Sequence, residues 1–398
     1  MRVDSHWEDG SARMEELRGL AKAAGYDVLA EISQRRGRDS RYQIGKGKIA
    51  EAVAFRPDRL IFYNPLSPGQ LFHISSEFDV PPMDRFNLIL EIFASRAQTR
   101  EAKLQVELAR LTYEAPFART MASLRKLSER PGFRGSGAYD ESAYQDIRGR
   151  MAKIRSALKD VEQTGEDRRE RRRELGFDLV ALAGYTNAGK SSLLNALTGS
   201  AVAAEDELFT TLSPTTRSMK LGGRGLVLTD TVGFIDDLPH FMIKAFRSTL
   251  SEITYGDLIL LVADLSDPPE TLRKKLVASH AALWECKTKA PMITVLNKAD
   301  LLSLDEIASA IDLIWDLAPH PVVVSVKTGD GFSDLLSKIE ENLPPWREQE
   351  AHLPYTEEGL DRLYHLYGSA EMLDVRYGDE INVRFRSRNK QGDPGVGG

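Results

Sequence analysis

The residues best suited to chemistry form the segment 184–191, which reads Gly-Tyr-Thr-Asn-Ala-Gly-Lys-Ser. A largely apolar run, 177–183, precedes it and an apolar-periodic segment, 192–197, follows it, so the context is strand, glycine-rich turn and helix. Backbone N–H groups in such a turn can surround a polyphosphate, helped by the positive end of the helix. Lys190 can reach the β and γ phosphates, and the Ser191 hydroxyl can ligate Mg²⁺. The segment therefore predicts a phosphate-binding loop.

A second motif, Asp230-Thr-Val-Gly233, follows the next apolar run and would complete the phosphate side of the site. An aspartate at the carboxyl end of a strand can hold Mg²⁺ through water. The glycine two residues after the threonine can offer its N–H to the γ-phosphate.

A third motif, Asn297-Lys-Ala-Asp300, is suited to reading a base. Asp300 presents two acceptors to the N1–H and the amino group of guanine, a pair of donors that adenine cannot supply. Asn297 would brace the loop, and the stem of Lys298 would cover the base plane. At the end of the last predicted strand, Ser325 and Lys327 would close over the guanine carbonyl oxygen. All these residues end predicted strands, which is where open α/β sheets bind ligands.

The ordered set of motifs resembles GTPases of the translation-factor class. The resemblance implies a switch threonine that ligates Mg²⁺ when GTP is bound, and we expect Thr211 to fill this role, with Thr210, Thr215 and Thr216 as competing candidates. The expected catalytic residues are Lys190, Thr211 and Gly233, and the expected metal ligands are Ser191, Thr211 and, through water, Asp230. The full set of predicted nucleotide-binding residues is Gly184, Tyr185, Thr186, Asn187, Ala188, Gly189, Lys190, Ser191, Ser192, Phe209, Thr210, Thr211, Asp230, Thr231, Val232, Gly233, Asn297, Lys298, Asp300, Ser325, Val326 and Lys327.

One position departs from Ras-type GTPases. Phe234 stands directly after Gly233, where a water-orienting glutamine would be expected. A phenyl ring cannot hydrogen-bond the attacking water, so we expect slow intrinsic hydrolysis and an activator supplied from outside. In related GTPases an asparagine at the place of Asn187 helps to hold a potassium ion. The predicted cofactors are therefore Mg²⁺ and the ligand GTP or GDP, with potassium left open.

The elements that must position these motifs alternate between strand and helix from Leu175 to Pro345, which predicts a mainly parallel sheet with helices on both faces. The predicted strands are Leu179–Ala183, Leu226–Leu228, Leu258–Ala263, Ile293–Leu296 and Val322–Val326. Beyond them we expect one helical stretch and one short strand, Ile381–Phe385, with residues 391–398 disordered.

Ahead of this region, residues 13–83 are interpreted as a small α/β unit, in which Gly45-Lys-Gly-Lys48 is favoured as a helix cap over a phosphate contact. Apolar residues from Leu90 to Leu111 recur at helical spacing, and Pro116 is expected to end that helix. A seam from Tyr144 to Val161 has coiled-coil spacing, so the two long helices should form an antiparallel hairpin.

The expected fold class is therefore α/β. A P-loop GTPase domain would be preceded by a small α/β domain with a long antiparallel helical hairpin and followed by a small α+β domain. The predicted boundaries are 1–89 for the N-terminal α/β subdomain, 90–174 for the hairpin with its basic glycine-rich tip, 175–346 for the GTPase domain and 347–398 for the C-terminal domain and tail.

The segment between the two helices, 115–139, carries five basic residues against one acid, together with three glycines and three aromatic residues. A flexible basic tip with aromatic faces suits insertion into RNA, because arginine neutralises phosphate and rings stack on unpaired bases. A solvated surface loop explains the composition equally well. The candidate RNA contacts are Arg119, Arg125, Lys126, Arg130, Phe133 and Arg134.

Bulk composition sets the remaining limits. The 398 residues are too many for one core, and 42% apolar and 28% charged residues are typical of a globular protein. A formal net charge of −6 argues against wholesale nucleic-acid coating but allows a local basic patch. Cys286 is the only cysteine, which excludes an intrachain disulfide and suits a reducing cytosol. With no bilayer-length apolar run, we expect a cytoplasmic monomer without stable membrane insertion, and peripheral membrane association is left open.

The whole arrangement resembles HflX, a family of ribosome-associated GTPases, from about Tyr42 to the C-terminal region. The most specific matches are the helix signature at 84–93 and 97–108, the glycine-rich turn at 132–137 and the variant residue Phe234. The segment 138–142 matches only in part the acid-rich continuation of bacterial members.

The resemblance implies binding to the large ribosomal subunit and its RNA, with ribosome-stimulated GTP hydrolysis that promotes dissociation or rescue of stalled or idle ribosomes. The alternative is an assembly or silencing factor in which GTP occupancy, not hydrolysis, is the output. A third reading, a GTP-dependent RNA-modifying partner, lacks a second catalytic constellation in the sequence.

Overall fold

The computed structural model describes residues 2–3, 10–35, 37–128, 136–199, 215–231, 233–234 and 251–388. These residues divide into two compact units, one ending at Asp160 and the other beginning at Val161. The division falls inside a single long helix.

The first unit contains two small parallel strand pairs and the helices around them. Strand β1 pairs with β2, and β3 pairs with β4. Its elements are β1 (Arg2–Val3), α1 (Gly10–Ala23), β2 (Ser33–Gln34), α2 (Lys46–Val53), β3 (Leu60–Phe62), α3 (Pro68–Phe78), β4 (Pro82–Asp84), α4 (Arg85–Arg96), α5 (Arg100–Ser128) and the first part of α6 (Ser136–Glu174).

Local signals in the sequence explain where the helices of this unit begin. Ser67 and Gln70 form a reciprocal capping box at the start of α3, with Pro68 in its first turn. Gly45 precedes α2 as its N-cap residue, whereas Lys46, Gly47 and Lys48 of the predicted cap lie inside the helix. The Asp84 carboxylate accepts a hydrogen bond from the N–H of Asn87 and so caps α4.

The predicted helix over Leu90 to Leu111 is wrong in one respect, because it is two helices. The chain leaves helical geometry at Ala97, and α5 begins afresh after Thr99. The Thr99 hydroxyl accepts a hydrogen bond from the N–H of Ala102 at 3.1 Å. A side-chain cap of this kind supplies a new helix start even where the apolar spacing continues across the break.

Pro116 does not end the helix, contrary to the sequence prediction, since α5 continues to Ser128. An interior proline removes one backbone hydrogen bond and disfavours a helix by about 3 kcal/mol. Packing of the preceding turns of α5 on α6 offsets this loss. Leu108 and Leu111 are buried against Met151 and Ile154 of α6.

The same contacts confirm the antiparallel hairpin. Glu107 of α5 forms an ion pair with Arg150 of α6, between Oε1 and Nη2 at 2.6 Å, whereas the later α5 residue Arg119 lines a cavity with the earlier α6 residue Tyr144. The apolar seam predicted from Tyr144 onward is the one that packs, with Met151 and Ile154 in its centre.

The second unit is built around a six-stranded sheet in the order β10-β9-β8-β5-β7-β6, parallel throughout except for the antiparallel pair β6 and β7. This confirms the α/β fold class with a mainly parallel sheet. Its elements, after the end of α6, are β5 (Phe177–Gly184), α7 (Lys190–Thr198), β6 (Thr215–Leu221), β7 (Arg224–Asp230), α8 (Ser251–Tyr255), β8 (Leu258–Asp264), α9 (Pro269–Glu285), β9 (Met292–Asn297), α10 (Leu304–Ile314), β10 (Val322–Val323) and α11 (Phe332–Asn342).

Two details of this sheet differ from the prediction. Strand β6 was not predicted, because most of its residues are polar and all of them are exposed or only half-buried. Strand β10 ends at Val323 rather than Val326. After Val324 the chain turns away from the sheet, and the N–H of Ser325 donates to the carbonyl of Asp330 at 3.0 Å.

A small antiparallel sheet with one helix follows in the same unit. Strands β11 (Trp346–Pro354), β12 (Glu371–Tyr377) and β13 (Glu380–Arg388) pair in the order β11-β13-β12, and α12 (Glu357–Ser369) packs on them. The sequence prediction had the helix and part of β13 but missed β11 and β12. Most side chains of β11 are exposed or half-exposed, so its apolar signal is weak.

A buried charge cluster joins this small sheet to the amino-terminal edge of the large one. The Arg224 guanidinium donates twice to Asp178 Oδ2, at 3.0 and 2.6 Å, and once to the Pro344 carbonyl at 2.7 Å. Arg388, the last residue of β13, donates to both carboxylate oxygens of Asp257 at 2.7 and 2.6 Å. Burial raises the pKa of Asp178, and the two arginines oppose that shift.

Replacing Arg224 by methionine should destabilise the protein by about 3 kcal/mol, because it leaves the fully buried Asp178 carboxylate with only Arg388, at 3.5 Å. Urea unfolding at pH 8 would measure the loss. The variant raises the pKa of Asp178 further above its unfolded value, so the destabilisation should shrink as the pH is lowered. Arg376→Met, which breaks an exposed ion pair with Asp374, should change stability by less than about 1 kcal/mol. Equal losses in the two variants would contradict the assignment.

Candidate nucleotide site

The predicted phosphate-binding loop lies between the central strand β5 and helix α7, at the carboxyl edge of the large sheet. Gly184 is the last residue of β5, and Gly189 is the N-cap residue of α7. Lys190 and Ser191 begin the helix, so their side chains are set by its first turn. The site predicted from the sequence is therefore assembled on the strand-turn-helix unit that the spacing indicated.

Two glycines of the loop are required by close approach as well as by backbone angle. Gly184 has φ of +140°, and a Cβ there would lie 2.1 Å from the Val262 carbonyl oxygen. Gly189 has φ of +93°, and a Cβ there would lie 2.2 Å from Asn297 Nδ2. Both positions favour glycine in the left-handed region and exclude any side chain. The loop therefore keeps the open backbone that phosphate binding needs.

Lys190 is buried and aimed along the loop. Its ammonium donates to the carbonyl of Tyr185 at 2.6 Å. Burial lowers the pKa of Lys190 to about 8, and the carboxylate of Asp230 partly opposes the shift. A polyphosphate beside this amine would favour its charged form, so the position is suited to a triphosphate ligand.

The predicted metal ligands Ser191 and Asp230 lie side by side. The Ser191 hydroxyl donates to Asp230 Oδ2 at 2.5 Å. Both are oxygen donors, the kind Mg²⁺ prefers, and phosphate oxygens and water would supply the rest of its shell. The donor set fits Mg²⁺; Ser191 would be a direct protein ligand, and Asp230 would act through water.

Gly233 and Phe234 close against the loop. A Cβ at Gly233 would lie 2.9 Å from Lys190 Nζ and 2.8 Å from Thr186 Cγ2. The N–H of Phe234 donates to the Gly184 carbonyl and the Phe234 carbonyl accepts from the Thr186 N–H, both at 2.9 Å. The Phe234 ring is buried. This position therefore offers no polar side chain to an attacking water.

Asn297 connects the predicted phosphate-binding loop to the loop that is predicted to lie beside the base. Its amide nitrogen donates to the Ala188 carbonyl at 3.0 Å, and its amide oxygen accepts from the Val326 N–H at 3.2 Å. Since Asn297 is buried, both bonds are made out of solvent. One side chain thus holds the loop after β5 against the loop after β10, which is the bracing role the sequence predicted.

Asp300 lies beside Ser325 and Lys327, as predicted for a base-reading group. The Ser325 hydroxyl donates to Asp300 Oδ1 at 2.8 Å, and Lys327 Nζ is 3.8 Å from Asp300 Oδ2. The hydroxyl fixes the carboxylate plane and leaves acceptor lone pairs on both oxygens. The arrangement can receive the paired N–H donors of a guanine.

Lys298 has a partner that sequence reasoning missed. Its ammonium donates to Asp264 Oδ2 at 2.6 Å. Asp264 ends strand β8 in the same way that Asp230 ends β7, and this parallel position was the available signal. A second pair lies next to it, since Lys275 donates to both oxygens of Asp267 at 2.8 and 2.7 Å.

Two other predicted residues make internal contacts. The Thr231 hydroxyl donates to the Leu182 carbonyl at 2.7 Å and is buried. The buried Tyr185 ring lies 5.7 Å from the Lys275 ammonium.

Several other predicted residues lie outside the described residues. They are Phe209, Thr210, Thr211 and Val232 of the nucleotide site and the candidate RNA contacts Arg130, Phe133 and Arg134. Arg119 is exposed on α5, which also carries Arg125 and Lys126.

A phosphate-binding loop after the central strand, a metal-suited pair at Ser191 and Asp230 and a guanine-suited carboxylate at Asp300 define a P-loop GTPase. The model of a family described as 50S ribosome-binding GTPase matches residues 179–298. Models described as GTP-binding GTPase N-terminal and GTP-binding GTPase middle region match residues 11–94 and 96–172.

Relatives that match the chain over most of their length identify a narrower family. A protein named GTPase HflX from Thermococcus kodakarensis is 41% identical over 92% of this chain and 87% of its own length. Another of that name from Methanocaldococcus jannaschii is 42% identical over 98% of this chain and 96% of its own length. The chain therefore belongs to the GTPase HflX family, as the sequence resemblance indicated. As a member it binds guanine nucleotide and hydrolyses GTP to GDP and phosphate.

A solved structure gives the same fold. The crystal structure of SsGBP in complex with GDP is 27% identical, covers 85% of this chain and 96% of that one, and has a TM-score of 0.52. Among the helices that the structure describes, none is both long and apolar enough to cross a bilayer.

Proposed function

We propose that this GTPase binds the large ribosomal subunit and promotes the dissociation or rescue of stalled or idle ribosomes. GTP would favour the bound form, and hydrolysis would release the protein. The observation that carries the proposal is a rigid helical hairpin, with a basic sequence at its tip, in a chain that also holds a GTPase site. The matching of residues 179–298 to a family described as 50S ribosome-binding GTPase supports the same target.

The hairpin has the dimensions and stiffness of a probe. Helix α5 has 29 residues and therefore rises about 43 Å. The buried seam with α6 and the Arg150–Glu107 ion pair hold the two helices together. Arginine and lysine toward its tip can neutralise RNA phosphates while the acidic remainder of the protein avoids nonspecific coating. The cytoplasm, where ribosomes are found, is the expected location.

At the nucleotide site, Lys190 and Mg²⁺ held by Ser191 would offset the charge that develops on the transferred phosphate. Thr211 and the N–H of Gly233 are proposed to complete that environment. Because Phe234 cannot orient the attacking water, the intrinsic rate should be low and the ribosome should supply the stimulation. We also propose that a potassium ion binds near Asn187. Equal GTP turnover in potassium and sodium buffers would contradict this part of the proposal.

Adding purified large subunits should raise GTP turnover at least about tenfold at saturation, because a missing catalytic group supplied in trans is worth orders of magnitude. Phosphate release measured with and without subunits tests this. An Arg125→Glu, Lys126→Glu variant should lose most of the stimulation, whereas Arg376→Glu, on an exposed strand of the small sheet, should keep it. Stimulation below about threefold in the unmodified protein would count against the proposal.

The buried Phe234 also favours a second candidate, in which GTP occupancy alone locks the protein on an immature or idle subunit. A GTP analogue that cannot be hydrolysed separates the two. If the protein with the analogue bound acts fully on the subunits, the occupancy model is supported. If the protein with the analogue bound stays on the subunits and does not recycle, the hydrolysis-driven switch is supported.

A further inference from the structure

We infer that Asp264 is a positioning residue for guanine recognition, which holds the Lys298 side chain where its stem can cover the base. Asp264 lies at the carboxyl end of β8, directly beside the strand that leads to Lys298. The inference rests on the assignment of Asp300 as the base-reading carboxylate. It is independent of any ribosomal partner.

The carboxylate of Asp264 is itself fixed at both oxygens. Oδ2 accepts the Lys298 ammonium at 2.6 Å. Oδ1 accepts the N–H of Ser266 at 3.0 Å and the Ser266 hydroxyl at 2.6 Å. The Leu265 N–H donates to the Asn297 carbonyl at 2.9 Å, so the backbone of this turn is tied to the base-reading loop. Asp264 therefore has a defined orientation relative to Asn297.

The partner lysine needs such an anchor. Lys298 has φ of +67°, in the left-handed region that disfavours residues with a Cβ. A lysine stem has four rotatable bonds and loses considerable entropy when it is held in one geometry. The ion pair is partly shielded, with the side chains 28% and 15% exposed for Lys298 and Asp264, so it is stronger than a pair on the open surface. A stem fixed at both ends presents a flat apolar face beside Asp300.

The chemistry predicts which nucleotides should respond. Stacking of an alkyl stem on a ring does not depend on the exocyclic groups of the purine. Loss of Asp264 should therefore lower the affinity for GDP and the affinity for inosine diphosphate by the same factor. Loss of Asp300 should lower the affinity for GDP more than that for inosine diphosphate, because inosine lacks the amino group to which the carboxylate would hydrogen-bond.

The experiment measures dissociation of fluorescent GDP and inosine diphosphate from the full-length protein. Asp264→Asn should speed dissociation of both about tenfold, since it replaces an ion pair by a hydrogen bond from the ammonium to an uncharged amide oxygen. Lys298→Met, which keeps an apolar stem without the ammonium, should have a similar effect. The double variant should be no faster than the faster single variant within about twofold, because both changes remove the same interaction.

Two matched controls separate positioning from a general structural role. Ser266→Ala removes the hydroxyl contact to Asp264 Oδ1 but keeps the backbone N–H contact and the ion pair, and it should change dissociation less than twofold. Asp316→Asn breaks a more exposed ion pair with Arg273 away from the site and should also have little effect. Additive effects of Asp264→Asn and Lys298→Met, or an equal effect of Ser266→Ala, would overturn the inference. If Asp300→Asn left the preference for GDP over inosine diphosphate unchanged, the assignment of the base site itself would fail.

Discussion

Replacing Lys190 by methionine should lower GTP turnover by about 10²–10³, because it removes the cation that the phosphate-binding loop offers to the β and γ phosphates. Methionine has a similar length and no charge, so it fills the same space beside the Tyr185 carbonyl. Affinity for GTP should fall more than affinity for GDP, since the ammonium also reaches the third phosphate. Phosphate release and fluorescence titration of the two nucleotides would measure the effects.

The pH dependence of nucleotide binding gives an independent check on Lys190. In the free protein, burial lowers the pKa of this amine to about 8. Bound polyphosphate favours the charged form, so GTP affinity should fall by about tenfold as the pH rises from 7 to 9. The Lys190→Met variant has no amine to titrate and should lack that component of the pH profile.

The lowered pKa of Lys190 also helps to distinguish a loss of function in the variant from a loss of folding stability. A lowered lysine pKa means that the nucleotide-free fold disfavours the charged amine at neutral pH, and this destabilisation is relieved as the pH rises through about 8. Lys190→Met should therefore melt no lower than the unmodified protein without nucleotide. Lys338→Met, which breaks an exposed pair with Glu341, should leave turnover unchanged. A Lys190→Met protein that binds GTP normally would contradict the assigned role.

The sequence predicted well where the motifs lie in the fold, because each of them follows an apolar strand. In a parallel sheet those ends share one edge, so linear order along the chain becomes spatial proximity. Glycines at 184 and 189 carried a further signal, since the backbone angle and close approach at both positions exclude other residues. The contacts of Asn297 and Ser325 with neighbouring loops follow from this shared edge.

What the sequence did not predict depends on tertiary contacts with weak local signals. Apolar spacing continues through Ala97, so the break between α4 and α5 is visible only in the Thr99 cap. Pro116 is a helix breaker by propensity, but packing of α5 on α6 overrides it. Strand β11 alternates charged residues on an exposed face and is defined by its pairing with β13. The Asp264–Lys298 pair joins two strand ends 34 residues apart in the chain, which no short motif records.

Replacing Asp300 by asparagine should reverse the base preference of the site. The carboxylate can accept two hydrogen bonds from guanine, and charge-assisted bonds of this kind contribute about 1.5–3 kcal/mol each. Asparagine retains one acceptor and gains an N–H₂ donor, which repels the guanine amino group. GDP affinity should therefore fall by about 10² or more. Xanthine carries a carbonyl oxygen in place of that amino group, so xanthosine diphosphate should gain affinity in the variant.

Competition titrations with GDP, xanthosine diphosphate and ADP would measure the reversal. The Ser325 hydroxyl that donates to Asp300 Oδ1 can still donate to the asparagine oxygen, so the loop should keep its geometry. Asp330→Asn is the matched control. It changes an exposed carboxylate of the neighbouring turn, which accepts from the Thr328 hydroxyl, and it should leave GDP affinity within about twofold, because surface polar contacts contribute little. A variant at Asp300 that still prefers GDP to xanthosine diphosphate would show that another group reads the base, and the nearby Lys327 and Ser325 would then have to supply the discrimination.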